Sequence, residues 1–326
     1  MKLGLNTAVI PAAGAADTAA RCLEGGGLVA FPTETVYGLG ADATNARAVA
    51  RLYEAKGRPS FNPLIAHVGD LQAAKRIARF EDKSLRLAEA FWPGPLTLVL
   101  PKASGCPVSD LATAGLETIA VRVPAHPVAH NILRAFGKPI VAPSANISGH
   151  VSPTTAEHVF GDLSGRIDLI VDGGPVSVGV ESTIVGCFEP PLLLRPGGLP
   201  REDIERVLGE KLARMPEDTG SAEALPLAPG MLASHYAPRA TVRLNATAIE
   251  PGEALLAFGS PAIPGVDKAT AMLNLSARKD LVEAAANLFR ALRELDAKGA
   301  KTIAVMPIPN EGLGEAINDR LRRAAI

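Results

Sequence analysis

Cysteine is scarce in this chain of 326 residues. The three cysteines, Cys22, Cys106 and Cys187, lie far apart and form no C-x-x-C pair. Their spacing favours neither a structural zinc site nor a disulfide framework, and we expect buried thiols in a reducing compartment. The six histidines show no ligand spacing, so no metal site is predicted.

Net charge is also nearly absent. The 33 Lys and Arg residues against 34 Asp and Glu residues give a formal net charge of -1. This balance argues against a protein held to nucleic acid by bulk electrostatics. Aromatic residues make up only 4% of the chain and are not interleaved with basic ones, so any RNA contact must be local.

Long apolar runs and the common catalytic motifs are missing as well. No run approaches the ~20 apolar residues that a membrane span needs. The apolar stretch at the start is short and broken by Asn6, unlike a signal peptide, so we expect a cytoplasmic protein. Because no G-x-S-x-G, H-E-x-x-H or Walker motif is present, the sequence indicates chemistry that uses positioning and charge neutralisation without a protein nucleophile.

The length and the 47% hydrophobic content predict two domains. Short apolar runs alternate with helical periods over the first ~200 residues, which indicates an α/β domain with a twisted mixed sheet. A segment rich in Pro and small polar residues then predicts a connector, followed by a small α/β domain that resembles half of a nucleotide-binding fold. The predicted bounds are 1–208, 209–238 and 239–326.

The predicted strands and helices of the first domain alternate. We predict strands at 28–31, 64–68, 96–100, 118–123, 140–142, 169–171, 182–185 and 192–194. We predict helices at 17–24, 46–56, 71–78, 84–91, 128–136, 152–159 and 201–208. In the last domain, strands are expected at 241–244, 254–258 and 302–306, and helices at 279–298 and 314–324.

Three irregular segments carry candidate chemistry. The segment FPTETVYGLG at 31–40 is read as one loop, either a decorated turn or a ligand-binding loop beyond a strand end. Lys56 and Arg58 flank a glycine helix cap on a proline-stiffened turn, where they can grip an anion from two sides. Ser152 is predicted to cap a helix fed by a serine-rich loop, which favours an anion site or an ordinary capped helix.

Two arginines stand on otherwise apolar strands. Arg122 in IAVRV and Arg195 after LLL would be costly to bury unpaired, so each needs a carboxylate partner or reaches solvent. Together with Lys56 and Arg58 they would form an electropositive pocket in a nearly neutral protein.

These motifs together resemble the YrdC-like family of threonylcarbamoyl-AMP synthases, in the long form with a C-terminal domain. The matching stretches occur in order: FPTETVYGLG, KGRPSFNPL, WPGPLTLVL, VRVP, APSANISG, ESTIV, LRPG and PGMLASHYAP. The resemblance implies a large twisted mixed sheet around a concave basic cavity. It also implies that threonine, bicarbonate and ATP yield threonylcarbamoyl-AMP and pyrophosphate for tRNA modification.

The resemblance also assigns residues and partners. The signature residues are Lys56, Arg58, Ser144 and Asn146. The threonine pocket is implied to contain Thr35, His67, Arg122, Ala142 and Ser182. The nucleotide is implied to contact Arg58, Asn62, Thr118, Ser144, Ser152, Arg195 and Tyr236. Mg²⁺ would arrive with ATP, the connector would act as a lid, and a tRNA threonylcarbamoyl transferase complex would act downstream.

Two other functions are alternatives to this one. A carbamoyl-adenylate enzyme of hydrogenase maturation would carry C-x-x-C pairs and an acylphosphatase module, which are absent here. A double-stranded RNA or ribosome-binding module fits poorly with the near-neutral charge, although direct tRNA binding stays open. The C-terminal domain could tether the lid, form a dimer contact or dock the transferase.

Overall fold

The computed structural model describes residues 5–214 and 236–326, which form two α/β units. The strands of the first unit are β1 Ala8–Pro11, β2 Val29–Pro32, β3 Tyr37–Asp42, β4 Ile65–His67, β5 Leu96–Pro101, β6 Thr118–Arg122, β7 Ile140–Val141, β8 Leu169–Asp172, β9 Thr183–Gly186, β10 Leu192–Arg195 and β11 Ala213–Arg214. Its helices are α1 Ala15–Glu24, α2 Ala46–Lys56, α3 Leu71–Lys75, α4 Asp82–Phe91, α5 Pro127–Phe136, α6 Ala156–Leu163 and α7 Arg201–Leu208.

The second unit begins at Thr241. Its strands are β12 Thr241–Arg243, β13 Glu253–Ala257, β14 Met272–Asn274 and β15 Thr302–Val305. Its helices are α8 Leu281–Ala297 and α9 Leu313–Ala324, with a short 3₁₀ turn at Val266–Lys268. No helix within 5–214 or 236–326 is long and apolar enough to cross a membrane.

The first unit is built on one mixed sheet of eleven strands. Their order is β1-β8-β2-β3-β7-β4-β6-β5-β9-β10-β11. The sheet contains parallel pairs such as β4 with β6 and antiparallel pairs such as β5 with β6. The prediction of a mixed sheet is therefore confirmed.

The two faces of the central strands carry different residues because side chains alternate along a strand. Ala66, Leu98 and Val121 point into the main helix-covered core. The opposite face carries a small apolar cluster of Ile65, Val99, Ala120, Ile184 and Leu194. Helices α1 and α5 cover this opposite face only along β2, β7 and β8. The polar cavity described below lies beside the small cluster.

The second unit is a parallel sheet in the order β12-β15-β13-β14, as expected for half of a nucleotide-binding fold. Helices α8 and α9 pack on one of its faces. Val36, Val151 and Val180 of the first unit belong to the same apolar cluster. The layer of α8 and α9 therefore joins the two units.

All eight strands predicted for the first domain are present within a residue or two, as are its helices 46–56 and 201–208. The structure corrects three predictions. The helix predicted at 71–78 ends at Lys75. The segment 31–40 is not one loop, because β2 and β3 pair antiparallel around a turn at 33–36. The helix predicted at 152–159 begins instead at Ala156, with Thr155 as its cap.

The connector prediction is only partly covered. Strand β11 pairs with β10 of the first sheet although it lies within the predicted segment 209–238. Residues 215–235, which include most of the predicted lid and of PGMLASHYAP, lie outside the described residues. The domain bounds stay a prediction.

Candidate active site between the two domains

A narrow cavity of about 50 Å³ opens on the face of the first sheet that α1 and α5 leave uncovered. Nine of the predicted site residues line it: Thr35, Arg58, His67, Arg122, Ala142, Ser144, Ser182, Arg195 and Tyr236. All five residues that the resemblance assigns to threonine are among them.

Arg122, at the end of β6, forms a buried ion pair with Glu34 beside the cavity. Its Nη2 lies 2.6 Å from Glu34 Oε1, and Nη1 donates to Thr35 Oγ1 at 2.9 Å. Nε donates to Gly94 O at 3.2 Å, so three of the five guanidinium N–H groups have partners among the described residues. Burial alone would raise the pKa of Glu34, but the adjacent Arg122 holds it below its usual value. The pair is therefore charged at neutral pH.

His67 lies beside Arg122, its partner in the register of β4 and β6. Burial, followed by the Arg122 charge, lowers the pKa of His67 to about 3. Its Nδ1 is 3.2 Å from Ile65 O, which can only accept a hydrogen bond. His67 is thus neutral at pH 7.

Lys56 and Arg58 occupy different positions: Lys56 is buried behind the cavity wall, and Arg58 lines the cavity. Lys56 is 1% exposed and does not line the cavity. Its Nζ donates to Ser144 O at 2.5 Å and to Asn146 O, so it fixes the loop that presents Ser144. Burial, and then the nearby Arg58, lower the pKa of Lys56 well below its ordinary value. Arg58 lines the cavity itself.

Arg58 is held by the backbone of its own turn. Nη2 donates to Pro63 O at 3.0 Å and Nε to Asn62 O at 3.3 Å. Burial lowers the pKa of Arg58 to about 10, which leaves it cationic at pH 7. Asn62 is buried behind it, and its Oδ1 has no hydrogen-bond partner among the described residues.

Glycines allow the loops of the cavity to approach one another. Gly38 of β3 bridges to Ser144, and a methyl group at Gly38 would lie 3.2 Å from the Cβ of Ala142. A methyl group at Gly40 would lie 2.7 Å from the Phe31 ring. The glycines of the FPTETVYGLG motif therefore serve close packing of the hairpin and the serine-rich loop.

Arg195 and Ser182 also line the cavity. The Arg195 guanidinium donates to Ser182 O through Nη2 at 2.9 Å, and Ser182 Oγ is 2.8 Å from Thr97 Oγ1. Glu181, next to Ser182, also lines the cavity. Three arginines, Arg58, Arg122 and Arg195, thus surround the space, and the predicted basic cavity is confirmed.

Tyr236 lines the cavity from the side of the second domain. It is 1% exposed and has a positive φ of 65°. Its ring stacks on Phe289 of α8 with centroids 5.5 Å apart. The residue after it, Ala237, donates its N–H to Gly149 O at 2.9 Å.

Five predicted site residues lie outside the cavity lining: Lys56, Asn62, Thr118, Asn146 and Ser152. Thr118 begins β6 on the same face as Arg122, roughly 13 Å away along the strand. Asn146 Nδ2 donates to Ile147 O and His150 O, while its Oδ1 has no partner among the described residues. Ser152 donates to Glu181 rather than capping a helix, because α6 starts four residues later. Their predicted roles stay predictions.

Sequence reasoning assigned no role to Thr33, Glu34, Glu181 or Arg320, which all contact the site. A carboxylate partner was expected for Arg122, and Glu34 fills that need from within the FPTETVYGLG motif. Arg320 had a weaker signal, since it stands among Ala316, Ile317 and Ala324 on the buried face of α9. Within residues 5–214 and 236–326, no group of three His, Cys, Asp or Glu residues could hold a metal ion.

Comparison with known proteins agrees with this geometry. The Sua5/YciO/YrdC family, described as telomere recombination, matches residues 21–197, and the threonylcarbamoyl-AMP synthase C-terminal domain matches residues 199–326. The threonylcarbamoyl-AMP synthase of Pyrococcus abyssi is 44% identical over 94% of this chain and 93% of its own length. That of Bacillus subtilis is 43% identical over 94% and 92%.

A solved structure matches both domains. The crystal structure of P. abyssi Sua5 complexed with L-threonine has a TM-score of 0.88 and 41% identity, covering 98% of this chain and 97% of that one. Fold and cavity together define a two-domain α/β enzyme with a small-molecule site at the junction of its domains. The chain belongs to the threonylcarbamoyl-AMP synthase family, whose members are nucleotidyltransferases. The predicted family and enzyme class are confirmed.

Proposed function

We propose that the chain converts L-threonine, bicarbonate and ATP to threonylcarbamoyl-AMP, pyrophosphate and water. The observation that carries this proposal is one cavity that combines three buried arginines, a neutral histidine and several hydroxyl groups. The family supports the reaction, and the P. abyssi relative of the same architecture is described as complexed with L-threonine. The product would supply the threonylcarbamoyl group for N6-threonylcarbamoyladenosine in tRNA.

Threonine would bind at Arg122, Thr35, His67, Ala142 and Ser182. Arg122 keeps two N–H groups beyond its contacts with Glu34, Thr35 and Gly94, which suits a carboxylate. Neutral His67 adds no further positive charge beside the substrate's amino group, which must be unprotonated to capture carbon dioxide. This end of the cavity therefore suits an amino acid.

The nucleotide would bind at the other end, toward Arg58, Ser144, Arg195 and Tyr236, with Asn62, Thr118 and Ser152 farther out. The carbamate formed on threonine attacks the α-phosphate of ATP, and pyrophosphate leaves. Arg58 and Arg195 would neutralise phosphate charge, and Lys56 and Asn146 would hold the loop of Ser144. The reaction needs no protein nucleophile.

Mg²⁺ would enter as part of the MgATP substrate. Glu181, the carboxylate in the cavity wall, bonds Ser152 and Arg320, so the described residues offer no carboxylate cage for a resident ion. We place the enzyme in the cytoplasm, where a tRNA threonylcarbamoyl transferase complex would consume the labile product. Direct tRNA binding is not required by this scheme.

Pyrophosphate release from ATP tests the proposal. Release by the purified protein should require threonine, bicarbonate and Mg²⁺ together, and should fall by about 100-fold in Arg58→Ala, since a buried charged contact to phosphate is lost. Arg79, an arginine on the surface of the first domain outside this cavity, gives the matched control Arg79→Ala. Release that is indifferent to threonine or bicarbonate would refute the assigned reaction.

A further inference from the structure

Arg320 of α9 reaches from the second domain to the wall of the cavity. Its side chain is fully buried, and its Nε donates to Glu181 Oε2 at 2.8 Å. Its Nη1 donates to Pro196 O at 2.8 Å and to Asp319 Oδ2 at 2.7 Å. Pro196 follows Arg195, and Glu181 precedes Ser182, so Arg320 holds the two segments that form this wall.

Arg320 also supports the last described part of the connector. Its guanidinium carbon lies 5.3 Å from the centroid of the Tyr236 ring. The same ring also stacks on Phe289. A cation over an aromatic face is stabilising, more so when both are desolvated. Arg320 therefore contacts Glu181 and Tyr236, which line the cavity, and Pro196, which follows the lining residue Arg195.

The charges of this cluster explain why such a residue is needed. Glu181 is buried and lies near Arg195 as well as Arg320. Burial alone would raise the pKa of Glu181, but Arg320 first and Arg195 second bring it down to about 2. If Arg320 were absent, Arg195 would still lie beside the buried carboxylate of Glu181. Arg195 would then be drawn toward Glu181 and away from a nucleotide phosphate.

We propose that Arg320 is a positioning residue for the nucleotide end of the cavity, supplied by the C-terminal domain. It neutralises Glu181 and holds Pro196, so that Arg195 stays in the cavity wall for ATP. The inference rests on the proposed function in placing ATP at Arg195. It gives the C-terminal domain a role inside the active site itself.

The test compares two full-length variants. Arg320→Gln should raise the KM for ATP at least ~10-fold, because Arg195 would lose its charge-assisted contact with a phosphate of ATP. The KM for threonine should change by less than about 3-fold. Arg293→Gln is the matched control, because Arg293 makes another half-buried ion pair between the domains, with Asp162 at 2.7 Å, but does not line the cavity. It should lower stability yet leave both KM values near those of the wild type.

A rescue experiment separates positioning from general stability. Adding Glu181→Gln to Arg320→Gln removes the uncompensated carboxylate and should restore most of the ATP affinity. Arg320→Lys keeps the charge but lacks a guanidinium that can donate to Glu181 and Pro196 at once. Its KM for ATP should therefore lie between those of the wild type and Arg320→Gln. Equal losses for ATP and threonine, equal kinetic effects in Arg293→Gln, or no rescue would each overturn the proposal.

Equilibrium binding of a non-hydrolysable ATP analogue keeps this test independent of turnover. If the wild type released no threonine-dependent pyrophosphate, the proposed function would fail. A loss of analogue affinity in Arg320→Gln with recovery in the double variant would still support the positioning role. Unchanged analogue affinity in Arg320→Gln would contradict that role even if the wild type is active.

Discussion

Two buried carboxylate–arginine pairs lie beside the cavity, one at the proposed threonine end and one at the proposed nucleotide end, and they are built differently. Glu34 and Arg122 both belong to the first domain, and Glu34 also accepts the N–H of Ala125. Glu181 belongs to the first domain and Arg320 to the second. The proposed threonine end is therefore complete within one domain, whereas the proposed nucleotide end requires both.

The difference follows from how the first sheet is covered. Helices α1 and α5 shield the β2, β7 and β8 side of the cavity face, next to Ala142. The strands that carry Ile184, Leu194 and Arg195 have only a small apolar cluster on this face. The C-terminal helices α8 and α9 pack beyond it, with Val36, Val151 and Val180 in a shared core. A polar site is thus enclosed by a second domain rather than by a helix of the first.

The largest effect should come from breaking the self-contained pair. Arg122→Met leaves the Glu34 carboxylate buried without its cation, which we expect to cost about 3–5 kcal/mol in the free energy of unfolding. The loss of the proposed carboxylate contact should also raise the KM for threonine by about 100-fold. Urea unfolding and steady-state kinetics measure the two effects separately.

A double variant sharpens this prediction. Glu34→Gln combined with Arg122→Met removes both charges, so most of the stability should return while threonine affinity stays low. Recovery of threonine affinity together with stability would show that Arg122 matters only for folding. The ATP-analogue affinity of the folded double variant should stay near the wild-type value, because this pair lies at the other end.

A second prediction tests the junction between the domains. Gly179 has φ of +79°, and a methyl group there would overlap the Ala285 carbonyl oxygen and Ala286 of α8. Gly179→Ala should therefore cost about 3 kcal/mol, from a strained backbone and overpacking combined. Gly209→Ala is the matched control, because Gly209 has φ of +76° but nothing within 4 Å of an added methyl group.

The control should cost only about 1 kcal/mol, the contribution of the backbone alone. Chemical denaturation of the two variants gives the comparison. If both variants lose the same stability, the close approach of α8 to Gly179 does not contribute to the junction. The affinity for the ATP analogue should fall in Gly179→Ala but not in Gly209→Ala, because only Gly179 packs against α8 of the second domain.

The smallest expected effect concerns pH. The folded-state pKa of His67 is about 3, below its ordinary value of 6.5, so between these values the unfolded chain binds more protons. Stability should therefore fall as the pH drops from 6.5, by up to ~1.4 kcal/mol per pH unit from this group. His67→Gln lacks this proton uptake, and its unfolding free energy should decline less steeply between pH 6.5 and 5.

Above pH 7.5 the difference in stability between wild type and His67→Gln should be constant. Urea titrations at several pH values give both slopes. Parallel curves for the two proteins throughout the range would mean that His67 is protonated to the same extent in the folded and unfolded chains.

Apolar strands were readable from the sequence because their burial leaves a clear pattern. The runs that became β5, β6 and β8 are continuous and hydrophobic, and helix α2 ends at Gly57, whose φ is +61°. Strand β3 was missed because Gly38 and Gly40 within it read as loop residues. Strand β1 was missed because it is a mostly exposed edge strand of only four residues, within the short apolar stretch at the start of the chain.

The site was readable where residues act through local motifs. Arg122 stood out as a charge on a buried strand, and its need for a carboxylate followed from the cost of burial. Ser152 was misread as a cap because its partner, Glu181, is 29 residues away. Arg320 is 139 residues from Glu181, so no local pattern could join them before the two domains were seen together.

The most direct test of the central claim is the fate of the bicarbonate carbon. Wild-type protein incubated with ¹³C-bicarbonate, threonine and MgATP should yield a nucleotide whose mass includes AMP, threonine and the heavy carbon. The yield of this nucleotide should equal that of pyrophosphate, and it should be absent when threonine is omitted. A nucleotide product without the labelled carbon, or AMP and pyrophosphate formed without threonine, would contradict the account.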